Sequence, residues 1–109
     1  MKILSIEHIA IAVESLKKGS NFWKDIMGLE FKKQEEIPNQ GVIADIYKIK
    51  NSRIELIKEK SPNSPISKFL KKNGPGLHHV CFEIEDIEEA ILELKSKNIN
   101  IIGSSYDIG

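Results

Sequence analysis

Cysteine is almost missing from this chain: its 109 residues contain one, Cys81. A lone thiol closes no disulfide within the chain, so the fold must rest on its core, and the expected setting is a reducing, cytoplasmic interior. Net charge is missing too. Sixteen basic and sixteen acidic side chains cancel, which argues against nucleic acid, whose binders show a basic excess on one face. No apolar run approaches the roughly 20 residues that a membrane span needs. Nothing signal-like opens the chain, since Met1-Lys2-Ile3-Leu4 leads directly into a strand-like segment. What remains is enough for one compact domain with a well-solvated surface.

What is present is a repeat. Residues 7–16 read E-H-I-A-I-A-V-E-S-L and residues 78–87 read H-H-V-C-F-E-I-E-D-I. Aligned, His8 falls on His79, Ile11 on Phe82, Val13 on Ile84 and Glu14 on Glu85. A strand-plus-helix unit repeated with an imidazole at its head implies two half-modules that bring two histidines to one site.

Alternation and β-branching predict a strand over Ser5–Val13, with Ile9, Ile11 and Val13 on one face and His8, Ala10 and Ala12 on the other. A helix follows from about Ser15, its N-cap, to Met27. Strands are expected over Leu29–Ile37, Val42–Lys50 and Arg53–Glu59, the last two joined by a tight hairpin. Ser61–Pro65 reads as a linker and Ile66–Lys72 as a short helix. Asn73-Gly74-Pro75-Gly76 marks the module boundary. The pattern then recurs as strand Leu77–Glu85, helix Asp86–Lys97 with Asp86 as N-cap, and strand Ile99–Gly103. The expected fold is therefore α+β: one domain over 1–109 of paired βαβββ modules, the first about 1–73 and the second, incomplete, about 74–109. Period-two alternation puts Val80, Phe82 and Ile84 with Ile9, Ile11 and Val13 beneath the two helices, and Ala10, Ala12 and Cys81 on an open face. Carrying the spacing from His8 to Glu55 over to His79 lands at about position 126, so the counterpart of Glu55 falls outside this sequence.

His8, Glu55 and His79 form the candidate metal constellation, because a borderline divalent ion takes imidazole nitrogen and carboxylate oxygen together. A single strand histidine is more simply a hydrogen-bonded core residue; two equivalent ones beside small side chains are hard to explain by packing. Glu55, within Arg53-Ile54-Glu55-Leu56-Ile57, is equally balanced between a ligand and an outward-facing charge. His78 points away from His79 and reads as structural or supporting. Cys81 shares the parity of His79, but a free cysteine is usually a small buried hydrophobe. Lys68, Lys71 and Lys72, with Lys58 and Lys60, make a basic patch that could meet phosphates, though a solvated helix face is the simpler account.

Paired modules with a histidine on each first strand resemble the vicinal oxygen chelate (glyoxalase/bleomycin resistance) superfamily. Ser64-Pro65-Ile66, Phe69-Leu70-Lys71-Lys72-Asn73, Gly76-Leu77-His78-His79-Val80, Glu85-Asp86-Ile87 and Asp107-Ile108-Gly109 resemble the methylmalonyl-CoA epimerase family within it. The resemblance implies metal ligands at His8, Glu55 and His79, with Glu55 also close enough to act in proton transfer. It implies a divalent cofactor (Co, Ni, Zn or Mn), an acyl-CoA thioester substrate and a homodimer, with neither membrane nor nucleic acid as partner. The family's fourth ligand, a C-terminal glutamate, has no counterpart in this sequence, and a basic glutamate of some members falls on Ala44, with Asp45 on the opposite face.

The reaction so implied is a metal-assisted 1,1-proton transfer at C2 of a malonyl-type thioester. Lactoylglutathione lyase (glyoxalase I), which isomerises a glutathione hemithioacetal to a glutathione thioester, shares the ligand set and is the first alternative. The second is a non-catalytic protein that sequesters a small molecule in the same cavity. Without the fourth ligand, this sequence is expected to be a poor catalyst, with a sheet edge open to pairing with another copy.

Overall fold

A computed structural model describes residues 1–103; the Asp107-Ile108-Gly109 run lies outside the described residues. The first strand, β1, is Ile3–Ala12. Ser15 caps helix α1, Leu16–Ser20, its Oγ accepting the Lys18 amide at 3.2 Å. The helix expected to reach Met27 continues as a π-helical segment over Asn21–Ile26, with Met27 N–H donating to Phe22 O at 2.9 Å. Strands β2 (Glu30–Ile37), β3 (Val42–Ile49) and β4 (Ser52–Glu59) form an antiparallel meander. Its second turn is tight enough to hold Lys50 at φ 44°.

Helix α2 is Pro65–Asn73, capped by Ser64, whose Oγ accepts the Ser67 amide at 3.1 Å. Pro65, expected in a linker, is instead the first helical residue, where a missing N–H costs nothing. Strand β5 is Gly76–Ile84 and helix α3 is Ile87–Ser96, capped by Asp86, which accepts the Glu89 amide at 3.0 Å. The strand expected over Ile99–Gly103 does not form; residues 99–103 are irregular. A strand exists through its ladder, and among the described residues none pairs with that run. No helix among them is long and apolar enough to cross a membrane.

The chain divides into two compact units, residues 5–82 and residues 1–4 with 83 onward. In the smaller, the Met1 ammonium pairs with Glu93 of α3 at 2.5 Å, and Glu85 N–H donates to Lys2 O at 3.0 Å. In the larger, the sheet order is β2-β3-β4-β1-β5. β1 lies parallel to β4, with His8 opposite Arg53, Ala10 opposite Glu55 and Ala12 opposite Ile57. Residues opposite one another share a face, so His8, Ala10 and Ala12 stand with Arg53, Glu55 and Ile57.

The other face carries the bulky set as expected: Ile9, Ile11 and Val13, with Leu16 and Trp23, pack on Tyr47, Ile54 and Leu56. Two expectations are corrected. Ala10 and Ala12 do not line an open face. Both are fully buried with Ile57 and Ile66, and Phe69 and Leu70 pack against them, because small side chains let α2 sit close to the sheet. Val80 and Phe82 are 39% and 50% exposed rather than buried. β5 is the outermost strand of the sheet, with a strand neighbour on one side only.

Tyr47 is fully buried, and its hydroxyl has no hydrogen-bond partner among the described residues. A buried unsatisfied hydroxyl carries its whole desolvation cost. Tyr47→Phe is therefore expected to raise stability by about 1 kcal/mol, read as a higher urea midpoint at unchanged m-value.

Candidate metal centre

Parallel pairing of β1 with β4, and the position of β5 on the other side of β1, bring four elements' chemistry to one end of the sheet. β1 supplies Glu7 and His8, β4 supplies Arg53 and Glu55, β5 supplies His78, His79 and Cys81, and α2 supplies Phe69. His8 Nε2 and His79 Nε2 are 3.2 Å apart, although 71 residues separate them in sequence. Their rings meet edge-on, with centroids 5.3 Å apart.

The outer nitrogens are engaged. His8 Nδ1 lies 2.6 Å from Glu7 Oε1. The carboxylate accepts, so Nδ1 carries the proton and Nε2 keeps its lone pair. Glu7 is held in turn by Arg53, whose Nη2 donates to the same oxygen at 2.7 Å. Burial raises the Glu7 carboxyl's pKa, but the hydrogen bonds from His8 and Arg53 outweigh it, and the net shift is downward. His79 Nδ1 lies 2.8 Å from His78 Nδ1, and His78 meets Phe69 edge-on at 5.0 Å. The tautomer in which His79 donates Nδ1–H to His78 leaves its Nε2 lone pair facing that of His8. Two lone pairs at that distance call for a proton or a cation between them. This is the arrangement of metal-binding imidazoles, whose far nitrogen is fixed by a supporting partner.

The spacing fits an ion. With metal–nitrogen bonds of about 2.0–2.1 Å, the observed separation subtends roughly 100° at a shared ion, between octahedral and tetrahedral values. Glu55 is buried, and its Oε2 lies 3.5 Å from His8 Nδ1 and 3.2 Å from Arg53 Nη2. Thus His8 meets His79 through one nitrogen and Glu55 through the other, with Arg53 bracing both Glu7 and Glu55.

The sequence carries no signal for Glu7, since no local pattern shows that its side chain reaches back to Nδ1. Cys81 was read as a packing residue, yet its sulfur, a Glu7 oxygen and a His8 nitrogen all lie within 4.8 Å of one another. The parity of Cys81 with His79 was the available signal. Asp45 is excluded from this face: it lies opposite Leu56 in the ladder and accepts a hydrogen bond from Gln34 at 2.8 Å. Lys68 and Lys71 line a separate cleft of about 490 Å³ together with Glu14, Glu59 and Ser67, so the basic patch there is offset by acids.

Burial, followed by the charges of His78 and His8, holds the His79 imidazole below its ordinary value of 6.5. A base depressed in the folded state binds its proton first in the unfolded chain. Its contribution to stability is complete above about 6.5 and declines as pH falls through that value towards the depressed one. In metal-free protein, the His79 ring is expected to titrate by NMR with a midpoint below 6.5, and the unfolding free energy should decline as pH falls through that window.

A family model for the Glyoxalase/Bleomycin resistance protein/Dioxygenase superfamily matches residues 7–109. The chain belongs to that superfamily, and its α+β sheet with three helices is the fold of its structural neighbours. The relatives it matches include methylmalonyl-CoA epimerases. It is 35% identical to the mitochondrial methylmalonyl-CoA epimerase of Mus musculus over 99% of its own length and 61% of that protein's. It is also 35% identical to the ethylmalonyl-CoA/methylmalonyl-CoA epimerase of Cereibacter sphaeroides, over 91% of this chain and 75% of that one. A variant of the Streptomyces coelicolor methylmalonyl-CoA epimerase, solved with 2-nitronate-propionyl-CoA, is similar at a TM-score of 0.85 and 27% identity, covering 94% of this chain and 75% of that one. The chain spans about three fifths of the length of the mammalian relatives it matches.

Proposed function

We propose that this protein is a methylmalonyl-CoA epimerase that moves a proton at C2 of a malonyl-type thioester with the help of a divalent metal. The single observation supporting this is the pair of Nε2 atoms at 3.2 Å, presented by the two repeat-equivalent histidines. Their relatives' substrate, an acyl-CoA, is the substrate class assigned to the chain. Within the domain of 1–109, module one (about 1–73) supplies His8 and Glu55, and module two (about 74–109) supplies His79.

His8 and His79 would hold the ion, with Glu55 as the third ligand. A Co, Ni, Zn or Mn ion there would supply Lewis-acid stabilisation of negative charge developing on the thioester oxygen. The remaining work belongs to the chain. Glu7 and His78 fix the two ring tautomers. Arg53 Nη2 positions the Glu55 carboxylate at 3.2 Å beside His8, where it can accept the C2 proton. A second acid returns a proton on the opposite face, which inverts the centre. Homodimer formation is part of the proposal, supported by the outermost position of β5 in the sheet. A reducing cytoplasmic setting is supported by the single thiol.

The test is deuterium uptake at C2 of methylmalonyl-CoA in heavy water with added metal. It is run on this chain and on one extended to complete the second module. Exchange that disappears in Glu55→Gln supports the reading. Exchange in neither protein, with isomerisation of a glutathione hemithioacetal instead, would replace it by lactoylglutathione lyase. Tight thioester binding without exchange would make the protein a binding module.

A further inference from the structure

The two histidines are held in different ways. The His8 ring is braced by Glu7 and, through Glu7, by Arg53. The His79 ring is exposed, and among the described residues its outer nitrogen has one hydrogen-bond partner, His78 Nδ1 at 2.8 Å. His78 is half-buried and meets the Phe69 ring at 5.0 Å, with 78° between the planes. Phe69 packs in turn against the buried cluster that includes Ala10, Ala12, Ile57 and Ile66. We propose that Phe69 of α2 is a positioning residue for the metal centre: it fixes the His78 ring, and with it the tautomer in which His79 turns its Nε2 lone pair towards the ion. This rests on the metal reading above and adds to it the element that carries rigidity from the core to the second histidine.

His78 and His79 are neighbours on β5, so their Cβ atoms leave the strand on opposite faces. Their Nδ1 atoms nevertheless meet, so the His78 ring is turned back towards its neighbour and something must keep it there. Among the described residues the rings that meet His78 are those of His79 and Phe69, and its one side-chain hydrogen bond is the one to His79. Phe69 is therefore the aromatic contact that anchors His78 from outside the histidine pair, in the edge-to-face geometry that such rings prefer. Phe69, His78, His79 and His8 stand edge to face in succession, at 78°, 76° and 77°, so a turn of one ring disturbs the next. The tautomer of an imidazole is set by the hydrogen bond that its other nitrogen makes. An exposed ring such as His79 has no packing to hold it once that bond is lost. With His78 released, His79 populates both tautomers, and the one protonated on Nε2 presents an N–H to the ion where a lone pair is needed.

The test begins with metal-free protein labelled with 15N-histidine and followed by NMR at about pH 8, where imidazoles are neutral. In wild type, His79 Nδ1 is expected to show the shift of a protonated nitrogen and Nε2 that of a bare one. The reverse assignment overturns the proposal without any variant. Phe69→Leu keeps an apolar side chain against the core cluster and removes the ring. There both His79 nitrogens should move towards values averaged over the two tautomers, and Phe69→Tyr should restore the wild-type pattern. Titration with Co2+, followed by absorption, should show an affinity about tenfold lower in Phe69→Leu, at the low end of the 10–100-fold range for groups that support a ligand, and recovered in Phe69→Tyr. If Phe69→Leu does not fold, Phe69→Met takes its place. An unchanged tautomer and affinity in the folded variant would show that Phe69 only packs, and would overturn the proposal while leaving the metal reading intact. A tautomer shift in the variant with no cobalt binding by wild type would support the positioning of His79 and overturn the metal reading alone.

Discussion

His8→Ala is expected to lower the affinity for Co2+ or Zn2+ by on the order of 100-fold or more, the largest loss of any single substitution at the site. Changing a group that only supports a ligand already costs 10–100-fold, and His8 does more than support one. Among the described residues it belongs both to the histidine pair and to the converging donor set. Its Nε2 faces His79 at 3.2 Å, its Nδ1 faces Glu7 at 2.6 Å and Glu55 at 3.5 Å, and it belongs to the converging set with Cys81. Its removal also takes the His8 imidazole from Glu7 and Glu55 and leaves Arg53 beside both carboxylates, which draws them away from the ion. Isothermal titration calorimetry with each metal checks this. Wild-type affinity in His8→Ala would show that the two histidines meet for packing and not for a metal. His79→Ala is the control, since it removes one donor while leaving the His8–Glu7–Cys81 group in place.

The second large effect is on stability. Leu56→Ala is expected to cost about 2–5 kcal/mol in chemical denaturation, the range for deleting a buried leucine side chain where the surroundings relax only partly. Leu56 is fully buried on the bulky face of β4, clustered with Tyr47 and Ile54, and Ile11, Leu16 and Trp23 pack against that cluster. A partner substitution makes the claim sharper. A Cβ built on Gly19 of α1 would lie 2.3 Å from Leu56 Cδ1. Gly19→Ala alone therefore forces the leucine aside, and overpacking of this kind costs about 1–3 kcal/mol, set against a gain of about 1 kcal/mol in helix propensity. In the Leu56→Ala background the clash is gone and the propensity gain remains. The double variant should thus be more stable than Leu56→Ala alone, and the two effects should be strongly non-additive. Additive effects would mean that α1 does not rest on Leu56.

Most of the fold was legible in local pattern. Period-two alternation over Ile9, Ile11 and Val13 identified the face that packs under α1, because side chains in a strand must alternate. Ser15 and Asp86 were readable as caps because each is followed by a helical apolar period, and only a side-chain oxygen there satisfies the first free amides. The pairing of His8 with His79 came from the repeat, which is a statement about symmetry and needs no coordinates. Membership of the superfamily follows from the same residues.

Tertiary structure decided the rest. Whether Ala10 and Ala12 border a cavity or lie under α2 depends on where a helix more than 50 residues further along the chain is placed, and small side chains are compatible with both. Ile99–Gly103 has strand composition, but a strand needs a neighbour, which composition does not provide. Burial of Val80 and Phe82 depended on what lies beyond β5, since an outermost strand has a sheet neighbour on one side only. At the site, parity turned His78 away from His79, yet their Nδ1 atoms lie 2.8 Å apart, because alternation fixes where Cβ points and not where a rotated ring ends. The sequence by itself therefore determined the repeat, the two histidines and the family. The bracing of Glu55 by Arg53, the fixing of the His8 tautomer by Glu7 and the approach of Cys81 were decided only when β1, β4 and β5 came together, since each of those contacts joins side chains whose separation is set by strand pairing and rotamer choice.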